Sequence, residues 1–294
     1  MKSFSIELIE WLQSARNVFT DAFFNGISLL GEEYFYIIVL ATIYWTLHKK
    51  LGEFLAISLG LGLTLNNVLK DIIAAPRPFE EYPDRVDNLR PDTATGSAFP
   101  SGHVQGSSTL FYSIAAFFKR WKYFLIATVL TVALMFSRLY LGVHYVSDVL
   151  VGGALGLAVA LLHAYFFRRF ENDKESLHRY YSVLAFIFLA GLFLFEGKDF
   201  YRSYGLLVGI IVAVSSEKQY VNFSIDVPWK IKALRIGVGI PFVALTLILL
   251  GLLFGILGAE EGTWAFNILE FVRYFLVAYA GFFVFPGLFH NLKK

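Results

Sequence analysis

The chain has 294 residues, of which 57% are hydrophobic, 18% aromatic and 16% charged, with a net charge of +2 and no cysteine. A soluble domain carries about 25% charged residues, so this is a membrane-protein composition, and the length does not divide into two soluble domains. So small and dispersed a charge, with no basic stripe interleaved with aromatics, excludes nucleic acid as a partner, and the lack of cysteine excludes disulfides, thiolate metal sites and a cysteine nucleophile.

The opening stretch MKSFSIELIEWLQSAR carries Glu7 and Glu10 in its apolar run and has no small-residue cleavage site, which argues against a signal peptide. It is expected to lie in the membrane interface as an amphipathic helix, with Phe4, Leu8, Trp11 and Leu12 on one face. Apolar runs then follow at 31–48, 52–70, 103–118, 122–140, 148–167, 181–197, 204–216, 235–257 and 264–288, which predicts an all-α polytopic bundle of about nine transmembrane helices. With that count, the loops at 49–51, 119–122, 168–180 and 217–235, together with the C-terminus, share one side and hold 15 of the 25 Lys and Arg residues. The positive-inside rule places that side in the cytoplasm and the N-terminus outside. The longest polar loop, 71–99, then faces outward, and six acids accompany its basic residues.

Three polar clusters fall on the outward side, each where a span begins or ends: KDIIAAPRP at 70–78, PSGH at 100–103 and SRLYLGVHYVSD at 137–148. Ionisable groups persist at such positions when they are paired or functional. His144 and Asp148 are four residues apart, so a helix starting near His144 puts them on one face. The carboxylate can then fix one imidazole nitrogen and present the other, as in a nucleophile held by an orienting group. In PSGH, Pro100 suits a helix start, Gly102 allows close backbone approach, and free amides near Ser101 and Gly102 would cradle an anion beside His103, a nearby acid. Lys70, Arg77 and Arg138 add three cationic donors, without a cluster of acids spaced for magnesium or calcium. Such a set suits a phosphoryl group whose developing charge the protein itself stabilises, with no metal or other cofactor required. Taken singly, each cluster also has a bland reading: Lys70 and Arg138 as snorkelling cations, His144 and Asp148 as a structural pair, PSG as an ordinary turn.

Taken together, the clusters resemble the type 2 phosphatidic acid phosphatase (PAP2) superfamily of lipid phosphatases. That family's pattern is Lys-x6-Arg-Pro, then Pro-Ser-Gly-His, then Ser-Arg-x5-His-x3-Asp. Lys70, Arg77 and Pro78 match the first part, Pro100 to His103 the second, and Ser137, Arg138, His144 and Asp148 the third, in order and in spacing. The resemblance covers roughly 31–167 and implies roles for these residues. His144 would attack phosphorus and become a phosphohistidine with Asp148 supporting it, and His103 would protonate the leaving alcohol. Lys70, Arg77, Ser101, Gly102 and Arg138 would hold the phosphate oxygens, and water would complete the second half-reaction.

The same resemblance divides the chain into an interfacial helix with a phosphatase core at 1–180 and additional transmembrane helices at 181–294. It implies a multi-pass membrane phosphatase acting on a lipid phosphate: a polyprenyl diphosphate, phosphatidic acid or phosphatidylglycerol phosphate, or a sphingoid phosphate. A nine-span layout with the N-terminus outside is similar to glucose-6-phosphatase, and KDIIAAPRP resembles the sphingoid-phosphate phosphatases. Polyprenyl diphosphate is the first expectation, in a bacterial plasma membrane with the site outward, because recycling such carriers is a common bacterial use of the family. Its partners would be the lipid substrate and the surrounding lipids. Two alternatives stay open, a phosphotransferase with a lipid or sugar acceptor and a non-catalytic transporter or scaffold.

Other polar residues receive structural expectations. His163 lies mid-span, and His48, His178 and His290 sit at span ends. Asn66, Asn67 and Gln105 suit interhelical hydrogen bonds, and Glu270 with Arg273 forms an i, i+3 pair on the last run.

Overall fold

A computed structural model describes residues 2–94 and 96–290 of the chain. Helices make up its regular structure, and no strand occurs among the described residues. Contacts gather into two units, one formed by Met1–Tyr36 and Val68–Ala164, the other by Ile37–Asn67 and Tyr165–Lys294. The units interleave along the chain, and their boundaries fall inside helices.

The first unit opens with α1 (Lys2–Ser14) and α2 (Val18–Ser28), followed by a 3-10 turn at Leu29–Gly31. Asn17 starts α2 with a reciprocal cap: its side chain accepts from the amides of Phe19 and Thr20, and the Thr20 hydroxyl accepts from the Asn17 amide. The expected N-terminal helix is present, and its packing against the rest of the unit rests chiefly on residues outside the apolar face expected to lie in the membrane interface. Ile6 and Ile9 are fully buried with Val86, Val104, Leu134 and Tyr145, and Leu8 and Leu12 pack beside them, whereas Phe4 and Trp11 are 60% and 68% exposed. Burying each isoleucine contributes about 1.5–3 kcal/mol. Salt bridges from Lys2 to Glu81 (2.8 Å) and from Arg85 to Glu10 (2.7 Å) join α1 to α5 (Pro78–Glu81) and to the loop that follows it.

Between α1 and that loop the chain runs through α3 (Glu33–Thr42) and α4 (Lys49–Ile73), whose last turn carries Lys70. A short 3-10 turn at Pro91–Thr93 leads to α6 (Gly102–Phe118), α7 (Trp121–Tyr140) and α8 (Val146–Phe170). Lys119, in the left-handed conformation with φ 54°, ends α6 and allows α7 to begin two residues later.

The second unit adds α9 (Lys174–Phe186), α10 (Gly191–Leu194), α11 (Lys198–Ser216), α12 (Trp229–Ile256), α13 (Trp264–Tyr279) and α14 (Phe285–Phe289). Single π-helical turns occur at Ile43–Leu47, Glu217–Val221 and Ala280–Val284. Tyr44, Trp45, Phe223, Phe285 and Phe289 form an aromatic core around them. Charges inside this unit are compensated locally, as a low-dielectric surrounding requires. Lys49 meets Glu217 at 2.6 Å and Lys218 meets Glu53 at 2.6 Å, a crossed pair of ion pairs between the start of α4 and the π turn after α11. Arg235 donates to the carbonyls of Trp45 (3.0 Å) and Ser224 (2.9 Å), closing the C-terminal end of the helix that contains Trp45. The expected Glu270–Arg273 pair is present at 3.0 Å, and Arg202 joins it from α11. Asn67 makes the expected interhelical bonds, to the Asp199 carbonyl (2.9 Å) and the Ser203 hydroxyl (3.0 Å).

Each of the nine apolar runs coincides largely with helical structure, although the run at 181–197 is broken between α9 and α10 and leaves the helix after Leu194. Among the described residues, six helices are long and apolar enough to cross a membrane, and a seventh crossing results if the pair Val18–Gly31 and Glu33–Leu47, bent by 55°, counts as one. The two runs that fall short do so for different reasons. Helix α6 has 17 residues, and α11 opens with Lys198, Asp199 and Arg202, which lower its hydropathy.

Candidate active site

All of the sequence-predicted site residues belong to the first unit. Lys70 stands in the last turn of α4, Arg77 at the N-cap of α5, Ser101 at the N-cap of α6, Gly102 and His103 in its first turn, and Arg138 in the last turn of α7. His144 occupies the turn between α7 and α8, and Asp148 the first turn of α8.

His144 is 2% exposed, and its Nδ1 lies 3.6 Å from Asp148 Oδ2. That carboxylate is itself fixed, accepting from the Tyr145 amide at 2.8 Å and from the Ser147 hydroxyl at 3.1 Å. With Nδ1 turned to Asp148, Nε2 is the nitrogen left to face a substrate. Burial, reinforced by the charges of Arg138, Arg77, Lys70 and His103, holds the His144 imidazole well below its ordinary value of 6.5. The ring is therefore neutral, with its lone pair in place, at neutral pH.

Arg77 is anchored by backbone carbonyls, donating from Nε to Gly96 at 3.1 Å and from Nη1 to Val143 at 2.9 Å. Arg138 is fully buried, and its Nη1 donates to the Ser28 hydroxyl at 2.6 Å. Its Nε and Nη2 have no hydrogen-bonding partner among the described residues, and neither has the buried Ser101 hydroxyl. Serine at an N-cap ordinarily bonds back to the first-turn amides; Ser101 does not, so its hydroxyl stays uncommitted.

The start of α6 departs from the expected cradle in two respects. The helix begins at Gly102, two residues after Pro100. The Ser101 amide also donates to the Asp148 carbonyl at 3.1 Å, which leaves the anion the Ser101 hydroxyl and the amides of the first helical turn rather than the Ser101 amide itself. Gly152 makes this docking possible, since a β-carbon there would stand 2.8 Å from the Ser101 carbonyl oxygen.

The structure adds a wall that no motif announced. Glu32 Oε1 approaches His103 Nε2 at 3.4 Å and accepts from Arg90 Nη2 at 2.9 Å. A β-carbon on Gly31 would stand 2.7 Å from His103 Cβ. Ser107 donates to the Leu30 carbonyl at 2.7 Å, and the Tyr36 hydroxyl reaches both Ser107 Oγ (3.2 Å) and the His103 carbonyl (3.4 Å). Residues 28–36 thus touch both Arg138 and the turn that bears His103. The available sequence signal was slight, a pair of acids, Glu32 and Glu33, at the head of an apolar run.

A buried histidine beside a carboxylate and a half-buried histidine, with a guanidinium and a hydroxyl presenting uncommitted donors, make a set of groups chemically suited to a tetrahedral oxyanion. Residues 53–172 match the PAP2 superfamily, and residues 201–294 match the PAP2 superfamily phosphatase transmembrane extension. The chain is 25% identical to lipid phosphate phosphatase delta of Arabidopsis thaliana, over 82% of this chain and 64% of that protein. It is 30% identical to a probable sphingosine-1-phosphate phosphatase of Dictyostelium discoideum, over 56% of this chain and 43% of that one. With phosphatidylglycerophosphatase B of Bacillus subtilis it shares 30% identity over 51% of this chain and 77% of the relative. The chain thus spans less than two thirds of the length of the Arabidopsis and Dictyostelium proteins.

The chain belongs to the PAP2 superfamily and is an integral, multi-pass membrane protein. Its α-helical fold carries the family's eleven motif positions in a single unit.

Proposed function

We propose that the protein is a metal-independent lipid phosphate phosphatase that works through a phosphohistidine. The observation that carries this reading is the set of buried, uncommitted donors, Arg138 Nε and Nη2 and Ser101 Oγ, together with a histidine kept neutral by burial and neighbouring cations, whose Nδ1 lies 3.6 Å from a carboxylate. A buried guanidinium edge without a partner is costly, and a phosphate offers it acceptors in a bidentate geometry.

In the first half-reaction His144 Nε2 attacks phosphorus as the bond from phosphorus to the ester oxygen breaks, and His103 gives its proton to the departing alkoxide. Asp148 stabilises the ring as it becomes positive. Lys70, Arg77, Arg138, Ser101 and the amides at Gly102 hold the phosphoryl oxygens, whose charge rises in the transition state. In the second half-reaction His103, now neutral, takes a proton from water. The resulting nucleophile attacks the phosphohistidine, releasing inorganic phosphate and restoring both imidazoles.

The substrate class is a lipid phosphate, supported by the names of the relatives and by the position of the site at span ends, where a headgroup can enter while acyl or prenyl chains stay among the helices. Phosphate release in the presence of EDTA, measured on polyprenyl diphosphate, phosphatidic acid, phosphatidylglycerol phosphate, sphingoid phosphate and glucose 6-phosphate with His144→Ala as control, tests it. Hydrolysis of a lipid member of the panel that disappears in the variant is the expected result. Release that survives His144→Ala, or that occurs only with added metal, would contradict it.

A further inference from the structure

The PAP2 superfamily match begins at residue 53, yet a carboxylate from well before it reaches the candidate proton donor. Glu32 Oε1 lies 3.4 Å from His103 Nε2, and the two side chains are 16% and 17% exposed. Arg90 fixes Glu32 from the other side at 2.9 Å and is itself held by Asn25, to whose carbonyl and side-chain oxygens it donates at 3.2 and 3.0 Å. The carboxylate is therefore not a loose surface group that drifts against the ring.

The surroundings of His103 make that carboxylate consequential. Positive charge reaches the ring from Arg138 on α7 and Lys70 on α4, and His144 faces it from the turn before α8. From α3, the Tyr36 hydroxyl meets the His103 carbonyl, and beyond Glu32 stands Arg90. An acid catalyst must carry its proton before it can give it away, and neighbouring cations oppose an imidazolium. Glu32 is the negative charge in contact with the ring, and it offsets that opposition.

We propose that Glu32 is a positioning residue for the reaction: through contact with His103 it sets the ring's orientation and stabilises its protonated form, so that His103 can protonate the leaving alkoxide. Glu32 neither gains nor loses a proton; the proton moves from His103 to the ester oxygen as the phosphorus–oxygen bond breaks. The inference rests on the reading of His103 as the acid, and its test separates the two.

The test compares two monoesters, phosphatidic acid in detergent micelles, whose alkoxide needs a proton to leave, and 4-nitrophenyl phosphate, whose phenolate does not. Glu32→Gln is expected to lower kcat/KM on phosphatidic acid by about 10- to 100-fold, within the range of general-acid contributions, and to change it less than about threefold on the aryl ester. Its alkaline limb on phosphatidic acid should move to lower pH by about one pH unit. Glu32→Asp, which restores the charge, should recover most of the rate, and because it keeps the ion pair with Arg90 it serves if Glu32→Gln folds poorly. His103→Ala should show the same dependence on leaving group. An equal loss on both esters for Glu32→Gln, with His103→Ala still dependent on leaving group, would overturn the role of Glu32 by itself. Equal loss on both esters for His103→Ala would overturn the acid assignment and the role of Glu32 with it.

Discussion

Gly31 lies so close to His103 that a β-carbon on the glycine would stand 2.7 Å from the histidine's own Cβ and 2.9 Å from its Cδ2. The ring and the turn before α3 therefore share one space, and any side chain at residue 31 must displace one of them. Gly31→Ala is expected to lower turnover at least about tenfold while lowering stability by about 1–3 kcal/mol, the usual range for overpacking. Phosphate release and thermal unfolding in detergent measure the two effects. Full activity in the alanine variant would mean that the turn yields without moving the ring.

Arg138 presents a fork that a lysine cannot copy. Its Nη1 is committed to Ser28 at 2.6 Å, while Nε and Nη2 remain for a ligand. Arg138→Lys keeps the charge but offers one nitrogen for both tasks. The variant is expected to lose about 10²–10³-fold in kcat/KM, comparable to removing a donor from an oxyanion site, and to bind inorganic phosphate more weakly as a product inhibitor. Unchanged phosphate inhibition would place the guanidinium outside the anion site.

The pH response of His144 follows from its burial in the turn between α7 and α8. Its folded value is lowered below 6.5, so the fold prefers the neutral ring. That preference contributes stability fully above the unfolded value and loses it as pH falls from about 6.5 toward the folded value. Between pH 6.5 and 5 the wild type should lose more stability than His144→Gln, which lacks the titrating group. The acid limb of kcat/KM due to the nucleophile should likewise lie well below pH 6.5. An acid limb centred at 6.5 that vanishes in no other histidine variant would contradict a neutral, buried nucleophile.

Asp148→Asn separates charge from position. The amide can keep the bond from the Tyr145 amide, made at 2.8 Å to Oδ2 in the wild type, but it brings no negative charge to the imidazolium that forms on His144. Turnover should fall by about 10²-fold or more, given the large effect of neutralising an orienting carboxylate, with unfolding temperature nearly unchanged. A loss of stability as large as the loss of rate would make Asp148 a structural residue first.

What could be read in the sequence, and what could not, follows from distance along the chain. His144 and Asp148 are close in sequence, and PSGH is contiguous, so local geometry suffices to make each a unit. The nine apolar runs are largely helical because backbone hydrogen bonding leaves little choice in an apolar surrounding. The N-terminal helix was visible, but which of its apolar residues pack against the unit was not: Ile6 and Ile9 are buried while Phe4 and Trp11 stay exposed. Ser28, Gly31 and Glu32 meet Arg138 and His103 across separations of about 70 to 110 residues, which no periodicity encodes. The engaged amide of Ser101 was hidden for the same reason, since its acceptor is 47 positions later, on Asp148.

That last bond has a further consequence. Asp148 brings its carboxylate to 3.6 Å from His144 Nδ1 and, with its carbonyl, accepts from the amide of Ser101, one peptide before the helix that bears His103. The two histidines are thereby linked to one another through main chain, so in the proposed mechanism the span between attacking nitrogen and departing oxygen would not depend on which side chains line the approach. On that mechanism, surroundings that admit a sphingoid base, a glycerolipid or a long isoprenoid could diverge freely while the reach of the chemistry stays constant.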